Sequence, residues 1–180
     1  MKNYSLLSLS LVAVVVAGCS DQNSTKAPAI NAVVAAPIVQ KITLAQDIPA
    51  GMKGFSFELG GKCAVDLVNK PQKDEVITIN RKDGMTVDGW AFDDKNGKVP
   101  SLVALQLAKG ADRYHALLNR YGGREDLSKA FGKPEFANAG YRGTVDIEAL
   151  PAGQYDILII QKGEGKNMVC ATYRKLEVKI

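Results

Sequence analysis

Of the side chains that carry out chemistry, this sequence holds one histidine, His115, and three cysteines, Cys19, Cys63 and Cys170. A catalytic triad sets a nucleophile, a base and an orienting acid within reach of one another, and a serine nucleophile announces itself in a Gly-x-Ser-x-Gly turn. That turn is absent, and so is a glycine-rich phosphate cradle. His115 lies between Tyr114 and Ala116-Leu117, where a partly exposed strand histidine is the plain reading. A structural zinc site needs four N or S ligands, which a single histidine without a close cysteine pair cannot supply. Asp93, Asp94, Asn96 and Gly97 have the residue types of a calcium loop. They lack the later bidentate glutamate at EF-hand spacing, which favours a hairpin turn. Arg124 and Asp126 could be half of an acid/base pair, but such neighbours more often hold a helix start to an adjacent strand. The expectation is a non-enzyme, with no catalytic residues, no metal and no cofactor.

Binding remains. The formal charge of +4 is small and its Lys and Arg residues are scattered, so the clustered basic face that nucleic acid requires is missing. Tyr and Arg suit contact surfaces because each joins apolar area to polar reach. Tyr114, Arg120, Tyr121 and Arg124, with Arg113, therefore form the expected contact face. Strand alternation divides it, placing Tyr114 and Arg120 on one side and Arg113 and Tyr121 on the other. Trp90 has two readings, a platform for the CH face of a sugar or a filler between sheets. Its strand neighbours Val87 and Ala91 favour the core.

The elements that must position these residues begin after a distinct leader. One lysine near the start precedes the apolar run Leu6 to Ala17, which small residues close. That is the layout of a secretory signal, too short for a comfortable membrane span. Three readings compete for Cys19 at its end: a disulfide partner, a free thiol, or a lipid carrier. Val16-Ala17-Gly18-Cys19 resembles the lipobox of bacterial lipoproteins, with an aliphatic residue and two small residues before the cysteine. The resemblance implies that Cys19 carries a diacylglyceryl group and becomes the first residue after cleavage. Each buried methylene contributes about 0.8 kcal/mol, so two or three acyl chains anchor a protein stably to a membrane. Ser20 after the cysteine, in place of aspartate, is similar to lipoproteins sorted to the Gram-negative outer membrane.

Export leaves Cys63 and Cys170 as an even pair in an oxidising compartment, which makes them candidates for a disulfide.

Three regions follow: a signal peptide over 1–18, a lipidated N-terminus with a flexible tether over 19–50, and a domain over 51–180. The tether is poor in aromatic residues and interrupted by Pro28 and Pro37, although residues 40–46 are placed to join the fold. Beyond Gly51, short alternating runs predict strands over 54–59, 62–68, 75–82, 85–93, 102–108, 113–120, 141–149, 154–162 and 169–180. Gly, Asp, Asn and Lys fill the turns between them. Arg124 to Phe131 has helical spacing and ends at Gly132. Many short strands at this spacing predict an all-β antiparallel sandwich with one short helix.

The span from about Thr78 to Ile180 resembles a bacterial Ig-like module of surface proteins and membrane-bound sugar-transfer proteins. The matching residues are Gly89-Trp90-Ala91 with Asp93, Pro100, Arg124-Glu125-Asp126-Leu127, Ala130-Phe131-Gly132, Gly140-Tyr141 and Leu150-Pro151-Ala152-Gly153-Gln154-Tyr155. Glu125 departs from members that have proline there. The resemblance implies an Ig-like sandwich and makes 113–121 a strand, where a helical face through Tyr114, Leu117, Leu118 and Tyr121 is the other reading. It carries no activity with it. The functional expectation is a lipid-anchored, non-catalytic envelope module that binds a glycan or a protein, or only spaces other components. A small periplasmic inhibitor of a lysozyme or protease is the alternative.

Overall fold

Alternating apolar residues between turn-forming ones produce β1 (Lys41–Thr43), β2 (Ser56–Leu59), β3 (Lys62–Val68), β4 (Lys70–Pro71), β5 (Val76–Asn80) and β6 (Met85–Phe92). The second part of the chain adds β7 (Val103–Lys109), β8 (Asp112–Tyr121), β9 (Gly140–Asp146), β10 (Gly153–Lys162) and β11 (Lys166–Lys179). Among the described residues one α-helix, α1 (Glu125–Phe131), follows β8 and stops at Gly132. The structure, a computed structural model, describes residues 41–71 and 73–180. The signal segment, Cys19 and the tether up to residue 40 lie outside the described residues.

The all-β class with one short helix holds, and each segment expected as a strand contains one. Residues 113–121 are strand, inside β8. The folded part already includes Lys41: β1 pairs with β9, Ile42 and Leu44 pack on the core, and Met52 is fully buried. The expected antiparallel pairing has exceptions, since β1 on β9, β2 on β11 and β5 on β11 are parallel.

Hydrogen bonds join the strands in the order β2-β11-β10-β7-β8-β9-β6-β3-β4. In a flat sheet with strands about 4.8 Å apart, β11 and β3 would lie roughly 29 Å from each other. Instead Cys170 on β11 and Cys63 on β3 are disulfide-bonded, with their Cα atoms 6.2 Å apart. The sheet therefore curls until its two ends meet along a seam. The seam is also bridged by Gln161 on β10, whose Nε2 donates to the Lys62 carbonyl at 3.1 Å. Opposite the seam, β8 turns the corner. Its residues 112–118 pair with β7 and its residues 119–121 pair with β9.

The curl encloses one large core. Val65, Val87, Tyr141 and Val145 face Leu105, Leu107, Ile157, Ile159 and Leu176 across it. Two glycines let rings cross the sheet. Gly89 pairs with Tyr141, whose ring lies over it on the inner face and whose hydroxyl donates to the Ala64 carbonyl at 2.7 Å. Gly140 pairs with Tyr121, whose ring covers it on the outer face. At the start of β10, the Tyr155 hydroxyl donates to the Pro151 carbonyl at 2.6 Å, which pins the preceding turn.

Candidate functional site

His115 and Asp93, two of the side chains that the sequence offers for chemistry, make hydrogen bonds that hold the fold. His115 is buried, with Nδ1 3.0 Å from the Gln46 carbonyl and Nε2 3.1 Å from Gln106 Oε1. Its backbone also exchanges two hydrogen bonds with Ala45, so the residue latches the N-terminal segment onto β8. Burial pushes its pKa below the ordinary histidine value, which the nearby backbone carbonyls only partly offset. The Asp93 carboxylate accepts from the backbone of Lys95 and Asn96 and from Asn96 Nδ2, closing a hairpin turn as expected from its neighbours. Burial opposes its ionisation, but these hydrogen bonds outweigh that and hold its carboxyl below the usual range. Among the described residues no group of His, Cys, Asp and Glu side chains is placed to hold a metal ion.

The expected contact face divides further than alternation predicts. Tyr121 and Arg124 meet on the outer face of β3, β6 and β9. Arg124 forks onto Asp126 at 3.0 and 2.9 Å and reaches Asp66 at 2.9 Å. The hydrogen bonds to Asp126 raise the guanidinium pKa and lower that of the carboxyl. Tyr121 donates to Asp88 Oδ1 at 2.9 Å, while Arg142 caps the other Asp88 oxygen and stacks over the Tyr121 ring at 5.1 Å. Every carboxylate in this group has a donor, and the group ties α1 to the sheet. Arg120 is exposed on β8. Tyr114 lies elsewhere, in a groove of about 430 Å³ beside Leu44, Gln46 and Asp146. There its ring packs edge-on against Tyr155 at 6.0 Å and contributes to the core.

Trp90 is not between the faces of the curled sheet. Val87, Gly89 and Ala91 point inward, so the period of two sends Trp90 outward with Asp88 and Phe92. It is half-buried against a satellite cluster of Phe92, Leu127, Phe136 and Ala139. It stacks on Phe92 at 5.1 Å and tilts against Phe131 at 5.9 Å. Its free side opens onto the seam.

At the seam lies a groove of about 460 Å³ whose walls are Leu59 and Tyr173 on one side and Lys62 and Trp90 on the other. The Cys63–Cys170 disulfide lies between them. Leu59 and Tyr173 are each 86% exposed. Tyr173 sits in a bulge of β11, where the pairing with β10 jumps from Ala171 to Arg174. Its φ is 58°, in the left-handed region that costs a non-glycine residue roughly 1–2 kcal/mol. The Thr172 hydroxyl fixes the bulge by donating to the Ile157 carbonyl at 2.6 Å and accepting from the Arg174 amide at 3.3 Å. Sequence reasoning overlooked Tyr173 because a bulge breaks the alternation by which an outward residue is recognised. Comparison of the chain with protein-family models, curated proteins and solved structures gives no match.

Proposed function

We propose that this protein is a non-catalytic binding module of the cell envelope whose seam groove contacts a glycan. The observation that carries the reading is Tyr173, a large aromatic displayed almost fully to water on a strained backbone. Strain of this kind persists where surrounding structure enforces it, and it clusters at ligand contacts. Aromatic faces suit the CH face of a pyranose, and Trp90 supplies a second ring to the same groove. The architecture is proposed as an Ig-like sandwich, with β8 passing between two sheets. The corner hydrogen bond of Tyr155 and the bridge from β3 to β11 support that description. The signal layout and the lipobox-like Val16 to Cys19 support export and lipid anchoring, with outer-membrane sorting read from Ser20.

The test uses the mature domain with isolated envelope glycans, sacculi and lipopolysaccharide in separate arms. Trp90 is the sole tryptophan, so its emission reports occupancy of the groove directly. Retention by one glycan, lost in Tyr173→Ala and Trp90→Ala variants that still fold, is the expected result. A wild-type domain that passes every glycan without retention or change in emission overturns the reading. For the anchor, Cys19→Ser should block incorporation of labelled palmitate. Normal labelling of that variant would remove the lipid assignment.

A further inference from the structure

We infer that the ligand of the seam groove is an anionic saccharide, one whose sugar unit bears a carboxylate on the ring or on a short ether substituent. The inference rests on the glycan-binding reading and specifies the charge of what is bound. Among the described residues lining the groove, Lys62 is the only charged one. It is exposed, pairs across the sheet with Phe92 two residues before Trp90's partner Ala64, and its ammonium lies 5.6 Å from the centre of the Phe131 ring. An aromatic face orients a cation through its quadrupole without neutralising it.

Other lysines nearby are handled differently. Lys166 meets Glu58 at 2.7 Å, and Lys98 meets Glu164 at 2.5 Å. Among the described residues Lys62 has no such carboxylate partner within ion-pair distance. Glu58, the acidic residue next to Leu59 at the groove edge, is itself held by Lys166. Gly60 and Gly61 precede Lys62 in the wall and contribute no side chains, so Lys62 is the first long side chain along that wall. The groove therefore offers two aromatic faces and one oriented, uncompensated positive charge. A sugar unit with a single carboxylate complements both features, whereas a neutral sugar uses only the first.

The experiment titrates Trp90 emission with peptide-free peptidoglycan strands, whose lactyl carboxylates are free, and with the same strands after methyl amidation. The acid form is expected to bind about tenfold more tightly, the ratio for one charge-assisted contact. Lys62→Met should bring the two forms to equal affinity, and Lys62→Arg should restore much of the preference. Raising salt should weaken the acid form alone. If both forms bind the wild type equally, or Lys62→Met keeps the preference, the charge assignment is wrong while glycan binding stands. If neither form binds, the carboxylate-bearing saccharide is excluded, and the glycan-binding reading falls with it only when the other envelope glycans are passed as well.

Discussion

Substituting alanine for Gly89 probes the point where β3, β6 and β9 meet most closely. A Cβ built on Gly89 lies 2.5 Å from the Tyr141 hydroxyl oxygen and 2.7 Å from Cζ, and closer still to the Ala64 carbonyl oxygen. Ordinary non-bonded contacts begin near ~3.5 Å, so something must move by about 1 Å. The obstacle includes backbone, and Tyr141 is fully buried, which leaves little room to yield. Overpacking of this kind costs about 1–3 kcal/mol. Displacing the ring also breaks the 2.7 Å bond from Tyr141 to Ala64, stranding two polar groups at about 1–3 kcal/mol. Gly89→Ala is thus expected to remove about 3–5 kcal/mol from a stability of the order of 5–15 kcal/mol. Urea titration of the purified domain measures it. Tyr141→Phe alone should cost about 1–2 kcal/mol, and Gly89→Ala should cost less in that background because one of the clashing atoms is gone. A Gly89→Ala variant within 0.5 kcal/mol of the parent, or strict additivity of the pair, would refute the reasoning.

Four further outcomes follow from the same geometry. Replacing both Cys63 and Cys170 by alanine should cost about 2–5 kcal/mol, since the bond closes a sequence separation of 107 residues; equal urea midpoints for the two proteins would contradict this. His115 has a folded pKa below its ordinary 6.5, so protonation costs more in the folded than in the unfolded chain. Stability should be full above about pH 6.5 and decline as pH falls toward the lower folded value, with His115→Gln flattening the melting profile over that window. Trp90→Ala should cost about 1–3 kcal/mol, less than the ~3–5 of a full core position, and parental emission should be partly quenched by iodide. Tyr173→Asn should leave stability unchanged or raise it by up to about 1 kcal/mol, because asparagine tolerates the left-handed backbone, while glycan retention is lost; a clear fall in melting temperature would mean the ring is structural.

The strands were legible because alternation and turn residues are local signals. KDG and KNG punctuate the chain, and the period of two survives without tertiary help. Gly89 is where another chain segment comes closest to β6, and nothing local in the sequence names Ala64 and Tyr141 as what approaches. Pairing was harder to read, because register between distant strands depends on the whole curl. Nothing local in Val76–Asn80 says that it lies parallel to β11. Trp90 illustrates the limit of a residue-type argument: its size suggests a core, but the parity of the strand decides the face. Tyr121 and Arg124 stand out in the sequence as contact-face residues, and the fold engages both in hydrogen bonds to carboxylates. Their partners Asp66 and Asp88 lie 58 and 33 residues away, on strands that only the fold brings near.

The bond between Cys63 and Cys170 turns most of the domain into a covalent ring, from β3 through β11. A protease that cuts one exposed turn inside that ring, such as Gly110 or Gly165, opens the chain without releasing a fragment. Both new ends stay joined through sulfur, and the cut strands keep their neighbours on either side. Damage at one loop therefore adds only the water of hydrolysis to the domain, which stays one covalent piece until the disulfide is reduced. Only a second cut between the cysteines, or a cut outside them, sheds material.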